Sequence, residues 1–166
     1  MKKIVEKTRI IIADDQTLLR DGLKTILELE EDMEIVGLAE NGEQAWQLAR
    51  AARPDLVLLD IRMPGMDGIA ALRKIKAEVP ETAVVMLTTF DDAAYIVEAL
   101  SEGASGFLLK DMDGDQLIGA IRDAVKGRFM LPGSVATKLV RHLSVPIHEA
   151  ASRIKADRLL SDEEGF

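Results

Sequence analysis

The feature of this sequence that most constrains its fold is an alternation between short apolar runs and segments with helical spacing, repeated five times. The runs are continuous and rich in Ile, Val and Leu, which is typical of strands buried on both faces of a parallel sheet. The helical segments between them place apolar residues along one face of a helix. The alternation predicts an α/β fold with a doubly wound parallel sheet covered by helices. The expected strands are 9–13, 34–39, 56–59, 83–87 and 106–109.

The alternation stops after "GRFMLPG" at 127–133. We expect a short helix over 134–143 with Ser134 as its N-cap, and a second helix over 147–160, after Pro146. These segments have too few apolar positions to form a core of their own. We therefore interpret this end of the chain as a linker or an arm between domains.

The composition excludes several classes of site. The chain contains no cysteine, which excludes disulfides, thiolate metal sites and cysteine nucleophiles and is consistent with a reducing compartment. No apolar stretch approaches the roughly 20 residues that span a bilayer, and the N-terminus does not resemble a signal peptide. We therefore expect a cytoplasmic protein that does not contact a membrane.

The charge of the chain argues against direct binding of nucleic acid. The net charge is −8, and residues 134–166 contain five basic and five acidic side chains, so the negative charge belongs to residues 1–133. A nucleic-acid interface would instead need a basic stripe. Solubility is the ordinary explanation of such an acidic surface.

Polar and charged residues follow four of the five predicted strands. Ligands of an open parallel sheet bind outside the carboxyl ends of its strands, so these side chains are expected to converge. Crowded carboxylates repel one another unless a hard cation lies among them, and oxygen ligands of this kind suit Mg²⁺. A carboxylate beside such an ion can act as a nucleophile toward phosphorus, while a hydroxyl and an ammonium stabilise phosphoryl oxygens. The residues are Asp14, Asp15, Asp60, Thr88, Thr89 and Lys110.

Each of these residues taken alone has an ordinary explanation. Asp15 could cap a helix, a threonine after a strand is usually a turn residue, and Lys110 could simply be solvated. Their joint occurrence at the same end of several strands is what indicates a phosphoryl-transfer site.

Four motifs together resemble the receiver domain of bacterial two-component response regulators, and more narrowly its NarL/FixJ (LuxR-type) subfamily. They are "IIADDQ", "LVLLDIRMPGMDG", "VVMLTTFDD" and "GASGFLLKD", and the similarity covers about residues 8–127. The resemblance implies a flavodoxin-like (CheY-like) five-stranded parallel sheet with strand order 2-1-3-4-5. It also implies that residues 128–166 form a helical linker toward a LuxR-type helix-turn-helix domain, which would begin near "LSDEEGF".

The resemblance assigns the acids to phosphoacceptance and metal binding. Asp60 would accept the phosphoryl group. Asp15 and Asp60 would ligate Mg²⁺ directly, Asp14 would act largely through a bound water, and the backbone carbonyl of Arg62 would complete the protein ligands.

The resemblance also assigns residues to phosphoryl binding and to a switch. Thr88, the backbone amide of Thr89, Lys110 and Arg62 would contact the phosphoryl group. Thr88 would move when that group arrives, and Phe107 matches the aromatic switch position of the family, although it could equally be a simple core residue.

The sequence departs from the family pattern in two respects. Asp111 follows Lys110 where the family often has a proline with a cis bond, and a non-proline cis bond costs about 3–4 kcal/mol. Arg62 and Phe90 occupy the positions that tune hydrolysis of the acyl phosphate in the family. Neither side chain is suited to orient an attacking water, so we expect slow self-dephosphorylation.

By resemblance, the function is that of a response regulator phosphorylated by a sensor histidine kinase. It would catalyse only its own phosphorylation and dephosphorylation and would not be an enzyme in the usual sense. Phosphorylation would reshape the surface of the fourth helix, fifth strand and fifth helix and promote a homodimer. DNA would be bound only through the domain that follows the linker.

Three alternatives remain open at this point. A phosphatase or phosphotransferase of the haloacid dehalogenase kind uses similar groups, but its nucleophile follows the first strand. A flavodoxin-like cofactor binder needs a phosphate-binding loop after the first strand, where this chain has two acids. A receiver without an output domain is the third, and the length of the tail argues against it.

Overall fold

The computed structural model describes residues 6–89 and 93–143. In this part of the chain, strands and helices alternate as the sequence predicts, and the five strands agree with their expected bounds to within one residue. The elements are β1 Thr8–Ala13, α1 Thr17–Glu28, β2 Met33–Ala39, α2 Gly42–Ala52, β3 Leu56–Asp60, α3 Gly68–Glu78, β4 Ala83–Thr88, α4 Ala93–Ser101, β5 Gly106–Leu109, α5 Gly114–Val125 and α6 Gly133–Leu143.

The strands form a parallel sheet in the order β2-β1-β3-β4-β5, which confirms the predicted topology. β3 lies at its centre, and all five of its residues, Leu56–Asp60, are buried. Its continuous apolar sequence follows from this position, since a central strand of a parallel sheet has helices on both faces.

Alternate residues of the strands point into two separate cores. Ile11, Val57 and Phe107 belong to the core that is shared with α2, α3 and α4. Ile10 and Leu58 belong to the core that is shared with α1 and α5. The two cores lie on opposite faces of the sheet because successive side chains of a strand point to opposite sides.

Side-chain caps define where several helices begin. Asn41 accepts a hydrogen bond from the backbone N–H of Gln44 at the start of α2, and Asp67 accepts one from Ala70 at the start of α3. At the start of α5, Asp113 and Gln116 bond reciprocally to each other's backbone as a capping box. These caps set the helix starts next to the loops that follow the strands.

The helix predicted over 134–143 is confirmed as α6, but the prediction that Ser134 caps it is wrong. α6 begins at Gly133, and the N–H of Ala136 donates to the carbonyl oxygen of Pro132 at 3.0 Å. The first helical hydrogen bond therefore starts from Pro132, and Ser134 lies within the first turn. The helix predicted over 147–160 lies outside the described residues.

None of the helices in the described ranges has the length and hydrophobicity that crossing a bilayer would require.

An ion-pair cluster ties α5 to the turn between α1 and β2. Arg122 donates from Nε and Nη2 to the two carboxylate oxygens of Asp32 at 2.9 and 2.8 Å, and Nη2 also lies 2.9 Å from Glu30 Oε1. A side-chain hydrogen bond from Arg122 lowers the pKa of Asp32, against the opposing effect of burial. Because the geometry is bidentate, this pair should stabilise the fold more than an ordinary surface ion pair does.

We expect Asp32→Asn to lower the free energy of unfolding near neutral pH by roughly 1 kcal/mol. Because the folded pKa of Asp32 lies below its unfolded value, the stabilisation is complete above about pH 4 and disappears as the pH falls through the folded pKa. Urea unfolding as a function of pH measures this difference. Glu81→Gln, in an ion pair with Arg53 at 3.5 Å in which both side chains are exposed, is the control and should change stability little.

Candidate functional site

The carboxyl ends of β1 and β3 are adjacent in the sheet and hold three acids. Asp14 and Asp15 follow β1, and Asp60 is the last residue of β3. One carboxylate oxygen from each lies within 4.8 Å of the others. Asp14 and Asp60 are buried, whereas Asp15 is exposed and faces solvent. The structure thus brings together acids that are separated by more than forty residues of chain.

Lys110 connects β5 to the same cluster. Its Nζ lies 2.9 Å from Asp60 Oδ2 and 3.4 Å from Asp14 Oδ2. Burial alone would lower the pKa of Lys110, but the hydrogen bond to Asp60 and the charges of Asp60 and Asp14 together raise it. The lysine therefore stays protonated and partly neutralises both buried carboxylates.

The pKa of Asp60 is raised from 3.8 to about 6. Burial is the largest cause, and the charge of Asp14 raises it further, while the hydrogen bond from Lys110 and the backbone N–H of Arg62 act in the opposite direction. The ionised side chain is therefore held in an unfavourable environment, which is typical of groups at reactive sites.

Asp14 has one satisfied and one unsatisfied oxygen. Its Oδ1 accepts a hydrogen bond from the backbone N–H of Gln16 at 2.8 Å. Its Oδ2 is buried and accepts no hydrogen bond from any residue in the described ranges, although Lys110 lies within ion-pair distance. The N-cap of α1 is Gln16, so neither Asp14 nor Asp15 serves as the helix cap.

The acids fit a metal ion by the chemistry of their donor atoms. A buried carboxylate oxygen without a hydrogen bond is costly unless a cation neutralises it. Three carboxylates within reach of one another supply the hard oxygen ligands that Mg²⁺ and Ca²⁺ prefer. Asp14, Asp15 and Asp60 could therefore hold a divalent ion, with the exposed Asp15 on its solvent side.

Arg20 is a functional candidate that the sequence reading missed. Its Nη1 donates to the backbone carbonyl of Asp14 at 2.7 Å, and the residue is only 7% exposed. It lies on the buried face of α1 together with Leu23 and Leu27. A charged residue in that apolar stripe, three and seven positions before two core leucines, is the signal that could have identified it.

The remaining predicted residues lie around the cluster. Thr88, fully buried at the end of β4, donates from its hydroxyl to the carbonyl oxygen of Thr89 at 2.9 Å. Thr89 is exposed directly after the strand. Arg62 is exposed, with its guanidinium carbon 5.3 Å from the ring centroid of Tyr95 on α4. Phe90 lies outside the described residues.

Phe107 is fully buried in β5 rather than exposed at the surface. Its ring meets that of Phe129 edge to face, with centroids 6.3 Å apart. The structure thus places the residue in the core while giving it an aromatic partner outside the sheet.

The loop after Asp60 is fixed by glycines. Gly68 donates its N–H to the carbonyl oxygen of Ile61 at 2.8 Å, and a Cβ at Gly68 would meet the carbonyl oxygen of Asp60. Gly65 has a φ of +72°, which favours glycine and allows the turn. The described residues contain no cis peptide bond, so the bond between Lys110 and Asp111 is trans.

Comparison with known proteins places this arrangement in a family. The family model described as "Response regulator receiver domain" matches residues 10–122, more than half of the chain. The chain belongs to the response regulator receiver domains. It is therefore a signalling domain of two-component systems rather than a conventional enzyme, and the fold expected from the motifs agrees with this family.

Relatives of this receiver domain include transcriptional regulators. It is 42% identical to the transcriptional regulatory protein LnrK of Bacillus subtilis, over 80% of this chain and 60% of the relative. It is 36% identical to the transcriptional regulatory protein DegU of Brevibacillus brevis, over 96% of this chain and 65% of the relative. The chain thus spans less than two thirds of the length of these relatives.

A solved structure agrees with the same family. The signal receiver domain of the response regulator NarL from Mycobacterium tuberculosis superposes with a TM-score of 0.71 at 39% identity, covering 74% of this chain and 99% of that domain.

We expect Asp60→Asn to raise the free energy of unfolding near pH 7.5, without divalent ions, by roughly 1–3 kcal/mol. The folded pKa of Asp60 lies above its unfolded value, so the ionised carboxylate destabilises the fold above about pH 6. This penalty disappears as the pH falls below about 4, where the two proteins should differ little. Urea unfolding at both pH values measures it.

Asp111→Asn is the matched control, because Asp111 is an exposed neighbour of Lys110. It should leave stability near that of the wild type at both pH values. If Asp60→Asn were no more stable than Asp111→Asn near pH 7.5, the assigned electrostatic strain at Asp60 would be wrong.

Proposed function

We propose that this receiver domain accepts a phosphoryl group on Asp60 from a sensor histidine kinase and transmits the event to a DNA-binding output domain. The observation that carries the proposal is the environment of Asp60. A buried carboxylate with an unfavourable charge lies 2.9 Å from the ammonium of Lys110, with two further carboxylates in reach. Burial and the charge of Asp14 make the ionised carboxylate unfavourable, which is typical of a reactive group.

In the proposed reaction a carboxylate oxygen of Asp60 attacks the phosphorus of the phosphorylated donor. A bond forms between that oxygen and phosphorus, and the bond from phosphorus to the donor breaks, with the electron pair leaving on the donor. The product is an acyl phosphate on Asp60. Lys110, which now pairs with Asp60, would then neutralise a phosphoryl oxygen.

Asp14, Asp15, Asp60 and the backbone carbonyl of Arg62 would hold Mg²⁺. When bound, the ion neutralises phosphoryl charge and orients the transferring group. Arg20 supports the site by fixing the carbonyl of Asp14.

Thr88, Thr89 and Arg62 complete the phosphoryl site in this proposal. The hydroxyl of Thr88, which donates to the carbonyl of Thr89, would turn toward the phosphoryl group, and the N–H of Thr89 would donate to it. Since Thr88 is fully buried, its movement leaves room that neighbouring core residues must fill. Phe107 would respond and change the α4, β5 and α5 surface on which dimers form.

The proposed whole protein is a transcription regulator. LnrK and DegU are named transcriptional regulatory proteins, and both are longer than the matched region. On this proposal residues 8–127 form the receiver, residues 128–166 form the linker, and a helix-turn-helix domain binds DNA.

The alternatives have less support. A phosphatase of the haloacid dehalogenase kind would place an acid two residues after its nucleophile, where this chain has Arg62 stacked near Tyr95. A flavodoxin-like cofactor binder would need a phosphate-binding loop after β1, where Asp14 and Asp15 lie.

The deciding experiment treats the protein with acetyl phosphate and Mg²⁺ and measures intact mass over time. We expect a gain of one phosphoryl group that requires Mg²⁺, is absent in Asp60→Asn and persists in Asp111→Asn. Asp15→Asn should need a higher Mg²⁺ concentration for the same labelling, because it lacks one of the proposed metal ligands. Rapid catalytic hydrolysis of acetyl phosphate without stable labelling would instead support a phosphatase, and labelling of Asp60→Asn would exclude Asp60 as the acceptor.

The lifetime of the acyl phosphate should depend on Arg62. The exposed guanidinium lies over Tyr95, and it has no acceptor atom with which to orient an attacking water, so we expect slow hydrolysis in the wild type. Arg62→Asn introduces an amide that can orient an attacking water and should shorten the lifetime severalfold. Mass spectrometry after removal of the donor measures the decay.

Arg62→Met is the control for this effect, because it removes the guanidinium without supplying an amide. Its acyl phosphate should decay severalfold more slowly than that of Arg62→Asn. Equal lifetimes for Arg62→Asn and the wild type would contradict this role for position 62.

A further inference from the structure

The guanidinium of Arg20 holds the peptide bond that joins Asp14 to Asp15. Its Nη1 donates to the carbonyl oxygen of Asp14 at 2.7 Å, and the Arg20 side chain is only 8% exposed. Because a peptide unit is planar, holding this oxygen also restricts the plane that contains the N–H and Cα of the next residue. The hydrogen bond therefore sets the direction in which Asp15 leaves the end of β1.

The position of Asp15 depends on its backbone, because no other residue in the described ranges holds its side chain. Asp15 is exposed, and its carboxylate forms no hydrogen bond or ion pair with residues 6–89 or 93–143. Asp14, by contrast, accepts a hydrogen bond on Oδ1 from the N–H of Gln16 at 2.8 Å, and its own N–H donates to the carbonyl oxygen of Ala39 at 3.0 Å. Of the two adjacent acids, Asp15 is thus the one whose position follows the peptide that Arg20 contacts.

A second nitrogen of Arg20 contacts two further elements. Nη2 lies 3.4 Å from the hydroxyl of Thr17, the first residue of α1, and 3.8 Å from Oε1 of Glu40, which directly follows β2. The guanidinium is planar and its nitrogens are fixed relative to one another, so these contacts orient Nη1 as well. One rigid group therefore joins the end of β1 to α1 and to the end of β2.

We propose that Arg20 is a positioning residue that sets the affinity of the acidic cluster for Mg²⁺. It directs the carboxylate of Asp15 toward those of Asp14 and Asp60, whose oxygens lie within 4.8 Å of it. Hydrogen bonds that orient metal ligands from behind typically change metal affinity by about 10–100-fold. This inference rests on the proposed function and deepens it, because it concerns the Mg²⁺ ligands of the same site. Arg20 acts through Asp15 and binds neither the ion nor the phosphoryl group.

The charge of Arg20 and its hydrogen bond affect cation binding in opposite directions. A guanidinium near the acids repels Mg²⁺, so on charge alone its removal would tighten the binding of the ion. Glu40 offsets this charge only weakly, since its side chain is 67% exposed and lies 3.8 Å away. If Arg20 positions Asp15, its removal instead weakens the binding of Mg²⁺. The sign of the change in affinity therefore separates positioning from electrostatics.

The test is calorimetric titration of the whole 166-residue chain with Mg²⁺, in the absence of a phosphodonor. Arg20→Gln is neutral and too short to reach the carbonyl of Asp14, and we expect it to raise the Kd for Mg²⁺ about tenfold. Arg20→Lys keeps an N–H donor that reaches this carbonyl, so its Kd should stay within about threefold of the wild type. Circular dichroism verifies that each variant is folded.

Arg9→Gln is the matched control, because Arg9 makes the same kind of contact at the other end of β1. Its Nη1 donates to the carbonyl oxygens of Ala52 at 2.7 Å and Arg53 at 3.2 Å. The variant loses a hydrogen bond from arginine to backbone without touching the peptide between the two acids. Its Kd for Mg²⁺ should equal that of the wild type, so a general loosening of the fold would be recognised.

Labelling by acetyl phosphate at saturating Mg²⁺ separates this inference from the proposed function. Arg20→Gln should then be labelled at a rate within about twofold of the wild type, because a high concentration of the ion compensates for the lost affinity.

An unchanged or lower Kd in Arg20→Gln, with normal labelling of the wild type, would overturn the positioning role and leave the proposed function intact. Failure of both Arg20 variants to fold would also overturn it, since Arg20 would then be a residue of the core. A wild type that binds Mg²⁺ but gains no phosphoryl group would overturn phosphoacceptance, and the Kd of Arg20→Gln would still decide the role of Arg20. A wild type that binds no Mg²⁺ would overturn the metal site and this inference together.

Discussion

The burial of Asp14 and Asp60 beside one another is the constraint on which the rest of this structure depends. Asp14 is fully buried and Asp60 is only 3% exposed, and each carboxylate repels the other. Lys110 reaches both, at 3.4 and 2.9 Å, and compensates part of that repulsion. Lys110 neutralises only part of the negative charge, so a bound cation or a chemical change at Asp60 can reduce the remaining repulsion. The reactivity proposed for Asp60 follows from this remaining electrostatic strain.

Such strain persists only if the surrounding backbone does not relax. β3 is buried along its entire length, and Asp60 is its last residue. Gly68 packs against the carbonyl of Asp60 so closely that no side chain fits between them, and Arg20 holds the carbonyl of Asp14 from the other side. The sheet thus serves as a rigid support that prevents the two carboxylates from separating.

The sequence predicted the strands and the gathering of acids at their ends for a clear reason. A strand that is buried on both faces must be apolar throughout, so each strand ends visibly where a charged residue begins, as at Asp60. Arg20 was missed because an arginine on a helix is ordinarily exposed, although its position in the apolar stripe of Leu23 and Leu27 was a usable signal. Ser134 was misassigned because helix propensity does not distinguish a cap from a first-turn residue when a proline carbonyl can start the helix.

The sequence also did not predict where α6 packs. Its few apolar residues, such as Val135 and Leu139, are too few for a core of their own, and a short amphipathic helix does not reveal which surface it covers. The fold determines the surface that this segment covers, because β5 is an edge strand and Gly106 leaves room for Met130 at that edge. The assignment of residues 128–166 to a linker stays a prediction, but the described part of it, residues 128–143, packs against β5 and α4.

The alternation of side chains along the strands sets the direction in which a signal from this site can travel. Thr88 extends the series of Val84 and Met86, which point into the core shared with α2, α3 and α4. The opposite core contains Val85 and Leu87 with α1 and α5, and there Arg122 ties α5 to Asp32. A displacement of Thr88 would therefore first affect the packing on the α4 side, where Phe107 meets Phe129, while Arg122 holds α5 in place on the opposite side.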